Sequence, residues 1–263
     1  MKIIKKTLLS FLSAALLTSC ASVPITGRRQ LTLIPGSQLA ALGESSYKEV
    51  ISGSRLSDDK EQTAMIERVG RRIADAAETF MIESGRRSEL SNYHWEFKLI
   101  KDDTVNAWAM PGGKIAFYTG ILRLMDSEDE VAVVMGHEVA HVLANHGNER
   151  MSQSILADFG GMALSRLLDE KPDETKNLFM AAYGLGATIG VMLPYSRRHE
   201  YEADEIGIHL MHMAGYDAQA AVSFWEKMDN LGGASIPEFL STHPSSRSRI
   251  ERMKKQVSAL KAE

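Results

Sequence analysis

The run His137-Glu138-Val139-Ala140-His141 constrains this chain more than any other stretch. Two histidines at i and i+4 leave one face of a helix together, so both imidazoles can reach a single metal ion. Glu138 sits about 100° further round than His137, so it is no equivalent ligand. It can instead reach a water held by that ion and act as general base. Five residues alone could be a buried histidine pair with a surface glutamate. The neighbours Val139, Ala140, Val142 and Leu143 make the helix largely interior, however. An ionisable triplet in an apolar helix is costly without a partner, which favours the metal. The only cysteine is Cys20, so any zinc site must use nitrogen and oxygen donors, and no internal disulfide can form. Zinc suits the task because it lowers the pKa of bound water to about 7 and polarises a carbonyl.

A third ligand is expected on a separate helix downstream. Glu200 and Asp204 share one helix face at i, i+4. Glu200 can bind zinc while Asp204 accepts a hydrogen bond from a zinc histidine and fixes its tautomer. Glu202 and Glu205 read as the solvated face of the same helix.

The remaining pattern gives the frame. Ser37 to Ile51 and Asp58 to Glu83 have helical apolar spacing, the second with a Met65, Val69, Ile73, Ala76 stripe. The period then becomes two: Trp95, Phe97 and Leu99 alternate with Glu96 and Lys98. Strands Val105 to Met110 and Lys114 to Thr119 flank Pro111-Gly112-Gly113, which predicts a small antiparallel sheet. Ser127 and Glu130 form a capping box that opens a helix to about His146. Further helices are expected over Glu149 to Leu168, Asn177 to Leu193, Arg198 to Ala214, Ala218 to Leu231 and Arg247 to Leu260. The class is α+β, one mostly helical domain over residues 37–263. Phe179 to Leu193 is almost unbroken apolar sequence, either a buried core helix or a cover leaning on the membrane or the active site.

Lys2, Lys5 and Lys6 precede an apolar stretch from Thr7 to Leu17, shorter than the roughly 20 residues a bilayer core requires. Residues 1–19 therefore read as a signal peptide. Leu17-Thr18-Ser19-Cys20 resembles the bacterial lipobox, which implies cleavage before Cys20 and acylation of that residue, a palmitate-type membrane anchor. Residues 20–36, with Pro24, Gly27, Pro35 and Gly36, read as an extended linker leaving the membrane. A formal charge of −4, without a basic stripe, argues against a nucleic-acid partner.

Four blocks carry a resemblance: Val105-Asn106-Ala107-Trp108-Ala109-Met110-Pro111-Gly112-Gly113, the His137 to His141 run, the Ser196-Arg197 to Asp204 run, and Thr242-His243-Pro244. They are similar to the zinc peptidases of the CaaX prenyl protease, HtpX, OMA-type and BepA/LoiP-type (family M forty-eight of the gluzincins). Pro24-Ile25-Thr26-Gly27-Arg28 is like the linker of the compact, LoiP-like lipoprotein members. The resemblance implies a zincin-like fold with one Zn2+ on His137, His141 and Glu200, and Glu138 as base. It implies that Asn106, Ala107, Trp108 and Ala109 lie on an edge strand along which polypeptide substrates pair. It also implies envelope protein quality control on the periplasmic side, the outer membrane being permitted by Ala21 and Ser22 after the cysteine.

In BepA-like relatives the histidine matching His243 can occupy zinc as a fourth ligand. A self-inhibited resting state is one expectation here, with Arg249 holding the loop or stabilising an oxyanion; a capping Thr-His-Pro turn is the other. His94, His146, His199, His209 and His212 read as structural or surface residues. The rival to a peptidase is a non-catalytic envelope assembly or chaperone lipoprotein with a structural zinc site. The intact Glu138 argues against it.

Overall fold

The computed structural model describes residues 20–159, 172–182, 196–231 and 237–262. Two short strands come first, β1 (Cys20–Ser22) and β2 (Arg29–Leu31), antiparallel with Cys20 opposite Leu31. Ala21 to Gly36, expected as an extended linker, is therefore folded. Its proline and glycine make a turn instead: Ile25 and Gly27 adopt φ 67° and 66°, and the Gly27 N–H donates to the Val23 carbonyl at 3.0 Å. Val23 and Ile34 are buried, and that burial pins the hairpin to the body.

Helix α1 (Gly36–Gly53) is followed by α2 (Lys60–Glu83). Asp59 caps α2 by accepting from the Gln62 N–H at 2.9 Å, and Ile66, Val69, Ile73 and Ala77 form its buried stripe. Strands β3 (Glu96–Ile100), β4 (Ala107–Met110) and β5 (Lys114–Tyr118) pair in the order β3-β5-β4. The β4–β5 hairpin is antiparallel, and its turn places Gly112 and Gly113 at φ 82° and 81°, which glycine adopts without steric cost. One correction concerns β3, which joins β5 in parallel, so this sheet is mixed. Alternation reports which face a strand buries, not which neighbour it takes. Here β5 inserts between β3 and β4. Strand alternation then separates two cores: Phe97, Leu99, Ala109 and Phe117 enter the larger cluster, while Trp108, Met110 and Ala116 face the smaller one with Leu39 and Tyr47 of α1.

Besides a 3-10 helix at Arg87–Asn92 and a single helical turn at Thr119–Leu122, the other helices among the described residues are α3 (Glu128–Leu143), α4 (His146–Phe159), α5 (Pro172–Ala182), α6 (Arg197–Met213), α7 (Gln219–Asn230), α8 (Glu238–Thr242) and α9 (Arg247–Leu260). Ser127 caps α3 by accepting from the Glu130 N–H at 3.3 Å, and Glu130 reaches back one residue further, to the Asp126 N–H at 2.7 Å. Every residue of α3 from Glu130 onward is buried. The helix stops at Leu143, short of His146, because Asn145 takes φ 53° and redirects the chain into α4. Asparagine tolerates that conformation better than most residues. Helices α3 and α6 touch backbone to backbone, since a Cβ on Gly136 would lie 2.9 Å from the Gly207 carbonyl oxygen.

Phe179 and Ala182 are buried in the smaller cluster. The rest of the apolar segment to Leu193, the far part of the Glu149 to Leu168 helix and the signal sequence lie outside the described residues. Among the described residues no helix is long and apolar enough to cross a membrane.

Candidate metal centre

Helix α3 presents His137 and His141, α6 presents Glu200, and the loop after α8 adds His243; all four are buried. Their donor atoms lie within 4.8 Å of one another. His137 Nε2 is 3.0 Å from His141 Nε2 and 3.2 Å from His243 Nδ1. Glu200 Oε1 lies 3.2 Å from His243 Nδ1 and 3.5 Å from His141 Nε2, and Glu200 Oε2 lies 3.4 Å from His137 Nε2. A tetrahedral zinc ion with bonds of about 2.0–2.1 Å separates its donors by roughly 3.3 Å. The donor set fits zinc in both chemistry and spacing.

The electrostatics agree. Burial opposes charge on Glu200, yet Arg249, His243 and the two α3 histidines hold its carboxyl well below the usual range. Asp204 is likewise held low against burial by Arg249 and His137. Glu200 and Asp204 set two negative charges against one guanidinium; against burial they push the His137 ring up to about 9, and a bound cation would take the place of that proton. Glu138 stands beside the cluster, 3.5 Å from His243 Nε2. Burial pushes its carboxyl up to about 8, against the neighbouring His137 and a backbone hydrogen bond from Ala109; a bound dication would pull it back down.

Around the donors, His137 Nδ1 meets Asp204 at 3.0 Å. Arg249 grips Asp204 with two bonds of 2.7 and 2.8 Å and touches Glu200 at 2.8 Å. The same guanidinium donates to the Pro244 carbonyl at 2.9 Å and stacks over Trp225 at 3.8 Å. Arg249 therefore ties the His243 loop to Glu200 and Asp204 of α6.

The model for peptidase family M48 matches residues 61–257. The chain is 33% identical over 236 residues to the mitochondrial metalloendopeptidase OMA1 of Schizosaccharomyces pombe, covering 88% of this chain and 64% of that protein. The chain belongs to peptidase family M48. Human metalloendopeptidase OMA1 is 29% identical over 89% of this chain and 45% of its own length. The β-barrel assembly-enhancing protease of Escherichia coli is 28% identical over 88% of this chain and 46% of its own length. The chain thus spans less than two thirds of the length of each of these three relatives. Its cluster is a metal site of the gluzincin type known in zinc metallopeptidases.

In this M48 chain β4 is the edge strand nearest the cluster. The Tyr118 N–H bonds the Asn106 carbonyl at 3.1 Å, so alternation turns the backbone groups of Ala107 and Ala109 away from β5. The Asn106 side chain accepts from the Ala107 N–H at 2.9 Å and donates to Glu238 at 3.2 Å. Trp108 points to the other face, with Nε1 3.2 Å from the Tyr118 hydroxyl. A cavity of about 230 Å3 runs from His141 past Asn148 and Asn92 to Gly112, with Ala21 and Thr32 of the N-terminal hairpin in its wall.

One acidic residue differs from the expectation, and two histidines take the structural alternative. Glu202 is buried rather than solvated, bonding His146 at 3.0 Å and the side chains of Arg28 and Thr26. His146 and His199 are buried and stacked at 4.4 Å, and His146 Nδ1 lies 2.8 Å from His141 Nδ1. Arg28 and Thr26, the partners of Glu202, come from an N-terminal turn far away in sequence, and Glu202 and Glu149 reach His146 and His199 from a different helix, so helix periodicity could not show them. Glu205, His94 and His212 are exposed, and His209 packs edge-on to Phe80.

Proposed function

We propose that this chain is a zinc-dependent endopeptidase acting on envelope proteins, anchored to the membrane through acylated Cys20. The observation that carries the reading is the convergence of His137, His141 and Glu200 with Glu138 beside them, outside the donor set. The Glu138 Oε1 atom is buried without a hydrogen-bond partner. A structural zinc site has no use for such a carboxylate. Bound zinc would supply a Lewis acid for the scissile carbonyl and lower the pKa of an attacking water. Glu138 takes that water's proton at its carboxylate and returns it to the leaving amine. An extended polypeptide adds to β4 through the outward carbonyls of Ala107 and Ala109, whose N–H groups face the Asn106 side chain and Glu138, so backbone pairing gives sequence-tolerant binding.

His243 completes a four-donor set, which leaves no open position for substrate. The resting chain is therefore self-inhibited, and the Arg249 bonds to the loop carbonyls hold it closed. The same closure favours the rival reading, a non-catalytic assembly factor with structural zinc. The lipoprotein reading is supported by the lipobox-like Leu17-Thr18-Ser19-Cys20 and by the likeness to the E. coli protease.

Replacing Glu138 by Gln tests the base. The variant should fold and hold one zinc per chain while casein or peptide cleavage falls by about 10²–10⁴-fold. Cleavage retained at the wild-type rate would remove Glu138 from this role. Absence of cleavage by both wild type and a His243 variant would favour the assembly factor.

A further inference from the structure

The two α3 histidines are each backed by close polar side-chain contacts that end on an arginine. For His137 the sequence is short: Nδ1 to Asp204, and Asp204 to Arg249. For His141 it is longer and leaves the helical core altogether. His141 Nδ1 is 2.8 Å from His146 Nδ1, and His146 Nε2 is 3.0 Å from Glu202 Oε2. Glu202 accepts from Arg28 Nε at 2.8 Å and from the Thr26 hydroxyl. The Arg28 guanidinium also grips Glu149 with bonds of 2.9 and 2.7 Å, and Glu149 holds His199 at 3.0 Å beneath the His146 ring.

The proton arrangement follows from the donor chemistry. His141 directs Nε2 at the cluster and needs a lone pair there, so its Nδ1 carries the hydrogen and donates to His146 Nδ1. That nitrogen must then be bare, so His146 carries its hydrogen on Nε2 and donates to Glu202. Each step permits one direction only. A neutral His146 with the opposite tautomer would face His141 with two N–H groups. The Glu202 carboxylate selects the right tautomer, and it is in turn held by a planar fork that can bind two carboxylates at once. The side chains of Arg28, Glu149 and Glu202 are only 9%, 9% and 5% exposed, so these bonds are shielded from water.

We propose that Arg28, in the β1–β2 turn, is a positioning residue for the metal site. Through Glu202 and His146 it sets the tautomer and ring angle of His141, and through Glu149 and His199 it fixes the floor on which His146 rests. The segment that leads out to Cys20 is thereby part of the peptidase and not a passive strap. This inference rests on the zinc reading of the cluster.

The test uses the full chain as wild type, Arg28→Ala, Arg28→Lys and Glu202→Gln, stripped of metal and titrated with zinc against a chromophoric chelator. Arg28→Ala should lower zinc affinity by about 10–100-fold, the usual effect of losing an outer hydrogen-bond partner of a ligand. Far-UV circular dichroism of the stripped variant should match wild type. Arg28→Lys, a point charge in place of a fork, should fall between the two. Cobalt-loaded Arg28→Ala should show a changed visible spectrum, which a loss of general stability would not produce. Zinc affinity of Arg28→Ala within twofold of wild type would overturn the proposal. Should Arg28→Ala fail to fold, Arg28→Lys and Glu202→Gln decide, and wild-type affinity in both would overturn it equally. Wild-type protein that takes up no zinc would defeat the cluster reading itself, before any variant is made.

Discussion

His243 is the one member of the donor set that arrives on a loop, and its geometry makes a sharp statement about activity. Its backbone N–H bonds the Phe239 carbonyl at 2.9 Å, and its Nδ1 sits within 3.2 Å of both His137 and Glu200. Removing the imidazole opens a position that the other three donors cannot close. His243→Ala should therefore bind zinc more weakly yet cleave peptides faster. If the open loop is about one tenth populated at rest, the rise is roughly tenfold. Initial rates at saturating zinc measure it; an unchanged rate would leave His243 with a capping role alone. At this scale the sequence was readable where ligands fall in short helical runs. His137, Glu138, His141, Glu200 and Asp204 each announce a face by spacing. Arg28, Glu149, Glu202, His146 and His199 do not, because their meaning depends on a turn and three helices meeting, and buried charge on a helix reads as solvated charge until its partner is known.

Among elements, the contact between α3 and α6 decides how far the histidine pair stands from Glu200 and Asp204. Gly136 precedes His137, and Gly207 lies about one turn beyond Asp204. A Cβ on Gly207 would lie 3.0 Å from the His137 backbone nitrogen. The neighbours on both sides are backbone, so neither can swing away. Gly136→Ala should force the helices apart and cost about 1–3 kcal/mol. Urea unfolding would report that loss, and zinc affinity should fall with it, since the ligands move with the helices. A variant as stable as wild type with unaltered affinity would show that the crossing does not set the site. The helices were legible because long amphipathic or capped stretches carry their own period, whereas the parallel pairing of β3 and the hairpin at residues 20–31 were not. Both depend on which distant surface a short strand finds, and no local pattern encodes that.

For the molecule as a whole, the larger apolar cluster spans α2, α3, α6, α7, α9 and one face of the sheet without using any metal donor. The fold should survive removal of zinc. A ligand present at 100 times its dissociation constant adds about 2.7 kcal/mol, and in a chain of this size each kcal/mol moves Tm by roughly 2–4 °C. Chelation should lower Tm by about 5–10 °C and leave a cooperative transition with native far-UV ellipticity. Collapse to an unfolded spectrum on chelation would show instead that the metal builds the domain. The pairing of Cys20 with Leu31 carries a last implication. An acyl group on that residue would enter the bilayer directly beneath folded protein, with no leash in between. The cleft would then patrol a thin shell above that membrane, roughly one molecular diameter deep, and a polypeptide would be cut because it lingers at that surface, whatever its sequence.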